Sequence, residues 1–107
     1  MVKKIRINEA EGRPSRLTSE EKDYIRSLFN DCNVDIIDEW FDYSEYEGIE
    51  FPTFNIATDN LNTGNDMFNL DRLMDRLYTL EDKNIGFEKL SGDNGFYSYN
   101  FEFYHYF

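Results

Sequence analysis

The chain has 107 residues, with 22 acidic against 11 basic side chains and a net charge of −11. A length of this order holds one hydrophobic core, so a single domain over residues 1–107 is expected. The charge disfavours direct binding to nucleic acid or an anionic membrane, and no apolar run approaches the ~18 residues of a membrane span.

From Val2 to Asn8, Ile5 and Ile7 alternate with Lys4 and Arg6, the two-residue period of a half-buried strand. Gly12 and Pro14 then punctuate a loop. The opening residues have no apolar stretch behind their basic ones and do not read as a secretory signal. Thr18, followed three residues on by Glu21, is a capping-box helix start, and Ile25, Leu28, Phe29 and Cys32 recur along its buried stripe. Cys32, the single cysteine, therefore reads as a small core residue; it excludes an intrachain disulfide and points to a reducing, cytoplasmic setting.

The next segment has two readings. With Asn33 as a cap, Ile36, Ile37, Trp40 and Phe41 share one helical face, opposite Asp35, Asp38, Glu39, Asp42 and Glu45. Periodicity thus predicts a second helix ending near Gly48, while the β-propensity of the same aromatic and branched residues favours a strand. Residues 49–58 have strand composition, with Ile49, Phe51, Thr53, Asn55 and Ala57 on one side and Pro52 suggesting an edge. The Asp- and Asn-rich stretch 59–66 lacks EF-hand spacing and reads as a plain turn.

A helix capped by Asn65 or Asp66 follows, with Met67, Leu70, Leu73, Met74, Leu77 and Leu80 as its core stripe. Residues 84–90 and 96–106 then pair as a hairpin about Asp93-Asn94-Gly95. On the closing strand Tyr97, Tyr99, Phe101, Phe103, His105 and Phe107 alternate with Phe96, Ser98, Asn100, Glu102, Tyr104 and Tyr106. The first set reads as the core face. A base-stacking platform would need interleaved basic residues, and this strand has none. The expected fold is α+β: an antiparallel sheet of about four strands (2–8, 49–58, 84–90 and 96–106) packed by two or three helices.

No phosphate-binding glycine loop, zinc spacing or HExxH is present, and no nucleophile motif accompanies His105, the single histidine. Neither enzymatic activity nor a cofactor nor a metal is expected. Charge placement is more informative. Residues 1–26 carry a net +2 and residues 72–107 a net −2, whereas 27–71 contain no Lys or Arg and eleven acids. A solvated helical face usually intersperses both signs, so this one-sided crowding costs stability through repulsion. Trp40, Phe41, Tyr43 and Tyr46 lie in the same stretch, and Trp and Tyr are frequent binding anchors.

The expected contact surface is therefore Asp35, Asp38, Glu39, Asp42, Tyr43, Glu45, Tyr46, Glu47 and Glu50, and the expected partner a basic, nucleic-acid-handling protein. In size and composition, mainly over residues 31–66, the chain resembles the small phage-encoded DNA mimics that block restriction, CRISPR or repair enzymes. That resemblance implies a non-enzymatic inhibitor. An immunity protein or antitoxin capping a nuclease toxin would use the same face. A structural protein forming a homo-oligomer through its C-terminal strand is the third reading.

Overall fold

The structure, a computed structural model, describes residues 15–93 and 97–106. In chain order come α1 (Ser19–Asp31), β1 (Ile36–Tyr46), β2 (Ile49–Thr58), α2 (Gly64–Tyr78) with a 3-10 turn (Thr79–Lys83), β3 (Ile85–Ser91) and β4 (Tyr99–His105). The strands form one antiparallel sheet in the order β1-β2-β4-β3, with β1 and β3 at its edges among the described residues. This is the expected α+β architecture. The expected strand at 2–8 lies outside the described residues, as do Asn94 and Gly95 of the expected turn and Phe96 and Phe107 of the closing strand; the fourth described strand is β1.

The start of α1 follows the sequence. Thr18 Oγ1 accepts from the Glu21 backbone N–H at 3.1 Å, and Glu21 Oε1 accepts from that of Thr18 at 2.8 Å. Its end explains why no second helix begins. Asn33 takes a left-handed φ of 56°, and the Val34 N–H reaches back to the Phe29 carbonyl at 3.0 Å. Asn tolerates that conformation better than most residues, so Asn33 terminates α1 instead of capping a new helix.

The helix expected near residues 34–46 is corrected to β1. Glu47 and Gly48 both adopt positive φ, 50° and 80°, as a two-residue hairpin turn of matching twist requires. The ladder then runs from Tyr46↔Ile49 to Ile36↔Thr58, and the register slips at Ile37. Ile36 packs against the core while Ile37, at the bulge, is exposed. Ten ladder partners outweigh a local periodicity that an isolated segment has little power to enforce.

β2 is likewise a central strand and not the edge that Pro52 suggested. Its pairing with β4 covers Phe54 to Ala57, so Pro52 lies just beyond it, where a missing N–H disturbs no β4 bond. α2 is capped by Thr63, with Asp66 as its reciprocal partner, rather than by Asn65 or Asp66. Leu70, Leu73, Leu77 and Leu80 are buried as expected, but Met67 points outward, 51% exposed.

Both helices cover one sheet face. Phe29 of α1 meets Phe101 and Phe103 edge-on at centroid distances of 5.3 and 6.2 Å, and Phe54, Ile56, Leu73, Leu77 and Cys32 complete the core. Phe101, Phe103 and His105 of β4 face inward as expected, while Tyr97 stands before the strand and is exposed.

Candidate functional site: an acidic, aromatic sheet edge

The register of β1 divides the expected contact residues between two faces. Glu39, Phe41, Tyr43 and Glu45 share the helix-facing side with Phe54 and Ile56. Asp38, Trp40, Asp42, Ser44 and Tyr46 share the outer side with Thr53 and Asn55. Asp35 precedes the strand, Glu47 sits in the turn, and Glu50 lies directly opposite Glu45. All nine expected residues thus fall on one hairpin, and every one but the half-buried Glu39 is exposed.

From Asp35 to Glu47 the extended chain covers ~40 Å and holds six carboxylates, about one per ~7 Å. One DNA strand carries a phosphate per ~3.4 Å of axis, so the edge has roughly half that density. Such a surface carries a negative field, with aromatic residues beside it.

The tertiary structure brings cations to the inner half of this edge that the sequence keeps far away. The Arg26 guanidinium of α1 donates to both oxygens of Glu39 at 2.8–3.0 Å and to Asp23 at 2.7 Å. The Glu39 hydrogen bond, above all, pushes the Arg26 pKa upward. Arg16 stacks 4.2 Å from the Phe41 ring centroid, and Arg26 lies over Phe54. Glu39 is therefore a structural strut between α1 and β1. Among the described residues, no Lys or Arg forms an ion pair with Asp35, Asp38, Asp42, Glu45, Glu47 or Glu50. Asp38 and Asp42 instead accept from the next residue's backbone N–H.

The outer face extends the negative surface onto β3 and β4, which sequence reasoning left out of the site. Glu102 lies opposite Glu88 on β3, and across β2 it faces Trp40, with Asp42 the next outward-facing residue along β1. Burial, then the charges of Glu88 and Asp42, raise the Glu102 carboxyl above its ordinary pKa. Burial, then Glu88, likewise push the Tyr104 phenol upward, so it stays a donor, and its hydroxyl reaches Glu88 Oε1 at 3.3 Å. The alternation of β4 was the available signal for Glu102 and Tyr104. Glu88 needed the pairing register.

Like charges directly opposite in a ladder are destabilising. This sheet has two such pairs, Glu45↔Glu50 and Glu88↔Glu102.

His105 has a different task. Its Nε2 lies 2.8 and 2.9 Å from the Glu21 carboxylate oxygens, and its Nδ1 lies 2.9 Å from Ser15 Oγ. It ties the end of β4 to the cap of α1 and to Ser15 just before it. Among the described residues, no group of His, Cys, Asp and Glu is arranged to hold a metal ion, and no helix is long and apolar enough to cross a membrane. No family model, curated protein or solved structure matches the chain.

Proposed function

We propose that this protein is a non-enzymatic, cytoplasmic inhibitor that occupies the nucleic-acid groove of a basic partner protein with the β1–β2 hairpin. One observation carries the reading. Along β1, an edge strand among the described residues, the stretch from Asp35 to Glu47 displays over ~40 Å carboxylates that no described cation neutralises, Glu39 excepted. Edge strands usually deter strand addition with charge, and Lys is the common choice. An edge built from acids and aromatics keeps that protection and gains attraction for basic surfaces. Asp35, Asp38, Asp42, Glu45, Glu47 and Glu50 supply the field, with Tyr43 and Tyr46 as anchors, each more than a third exposed. Glu39 serves indirectly by holding β1 to α1.

The test replaces Asp35, Asp38 and Asp42 with Asn and Glu45 with Gln, leaving Glu39 in place. Wild type and variant are used as baits in nuclease-treated lysate, and proteins held only by wild type are identified and purified. The reading expects a nucleic-acid-binding protein whose affinity falls steeply with salt, since exposed charges are screened within ~10 Å at 0.1 M. It also expects duplex DNA to compete. A partner bound equally by both baits at every salt concentration, or indifferent to DNA, overturns it.

A further inference from the structure

The ladder between β2 and β4 ends at Phe54↔Phe103, while β2 continues outward to the hairpin turn and β4 continues to His105. The two strands thus part company, and a recess of about 490 Å³ opens between the hairpin arm and the β3–β4 end. Its aromatic lining includes Tyr46, Phe51, Tyr78, Phe87, Tyr104 and Tyr106. Phe51 and Tyr104 meet edge-on at 5.4 Å, joining the hairpin arm to β4. Tyr104 and Tyr106 also meet edge-on, at 5.7 Å. Glu45, Glu88 and Glu102 line the same recess, so both like-charge ladder pairs of the sheet contribute to it. No described Lys or Arg does.

We propose that this recess is a socket for a guanidinium group, an arginine side chain presented by the basic partner. Aromatic rings offer negative faces to a cation, and carboxylates at the rim offer planar acceptors; arginine uses both at once, by stacking and by forked hydrogen bonds. Lysine has no plane to stack and holds its water more tightly. The molecule already uses this chemistry internally, with Arg16 stacked on Phe41 and Arg26 joining the Phe54 ring to Glu39. A bound guanidinium would relieve the repulsion between Glu88 and Glu102, to which no described Lys or Arg is paired. The arginine's source rests on the function proposed above; the socket itself does not.

The socket is tested on the full chain by amide NMR titration with N-acetyl-arginine methylamide, and in parallel with the blocked lysine and blocked citrulline. Expected are saturable shifts at Tyr46, Phe51, Phe87, Glu88, Glu102 and Tyr104 with the arginine probe. Lysine should bind several-fold more weakly and citrulline not at all. Glu88→Gln combined with Glu102→Gln should weaken arginine binding by about tenfold or more, each charged hydrogen bond being worth about that factor. The same variant should melt no lower than wild type, because a repulsive pair has gone. Lysine binding as well as arginine, shifts spread along β1 instead of the recess, or an unaffected double variant overturns the socket. The outcomes also separate the two proposals. If the Glu88/Glu102 variant loses the arginine probe but keeps the partner, arginine delivery by that partner is overturned while the hairpin reading stands. If a β1 variant with only Asp35, Asp38 and Asp42 changed to Asn, Glu45 being kept for the socket, loses the partner but keeps the probe, both stand.

Discussion

Replacing His105 with Phe keeps a ring of similar size at the end of β4 and removes both of its polar contacts. His105 is 8% exposed, and its Nε2 faces the Glu21 carboxylate within 2.9 Å. A hydrogen bond to a charged group is worth ~1.5–3 kcal/mol and a neutral one, here to Ser15, about 1 kcal/mol. Glu21 retains its Thr18 N–H partner at 2.8 Å, so the carboxylate is not orphaned and the losses stay near those values. The expected cost is ~2–4 kcal/mol, a large part of the ~5–15 kcal/mol of a domain. At about 4 °C per kcal/mol for a chain of this length, the midpoint should fall by ~8–16 °C. Acidification adds a signature. Burial raises the Glu21 pKa, but hydrogen bonds from Thr18 and His105 outweigh it and hold the carboxyl below its ordinary value. A depressed carboxyl stabilises the fold above the unfolded-state pKa, and that stability is lost as pH falls through the folded-state pKa. Wild type should therefore lose more stability than the Phe variant as pH falls from 6 through and below the ordinary carboxylate range. Calorimetric melts across that range measure both effects. A variant melting within 2 °C of wild type at pH 7, with the same acid slope, refutes the reasoning.

Phe101→Ala should cost ~3–5 kcal/mol in urea unfolding, and a double-mutant cycle with Phe29→Ala should show coupling of ~0.5–1.5 kcal/mol from their edge-on contact. Glu102→Gln should stabilise the protein at pH 7. The raised folded-state pKa of Glu102 makes wild type lose stability as pH rises from the unfolded-state value through the folded one, so the gap between the two proteins should close at acid pH in paired melts. Gly48→Ala places a side chain at φ 80° and should cost ~1–2 kcal/mol, read from the denaturation midpoint. Gly86→Ala would drive a Cβ into the Tyr106 ring, so amide shifts at Tyr104 and Tyr106 should move even if stability changes little.

Local rules alone were enough for several elements. The Thr18–Glu21 capping box, the α1 stripe through Cys32, the leucines of α2 and the alternation of β4 depend on neighbours within one turn or one strand, where sequence spacing is spatial spacing. The eleven acids of residues 27–71 were also plain, since charge needs no fold to be counted. Tertiary structure decided the rest. The residues of β1 match a helix in phase and a strand in propensity, and only pairing with β2 through the Glu47–Gly48 turn chose between them. That choice divided the acids between two faces and gave Glu39 a partner thirteen residues away in Arg26. It also brought Glu45, Glu88 and Glu102 to one recess from three strands. Long-range pairing carries its energy in contacts between segments, and no window of local sequence contains both sides of such a contact.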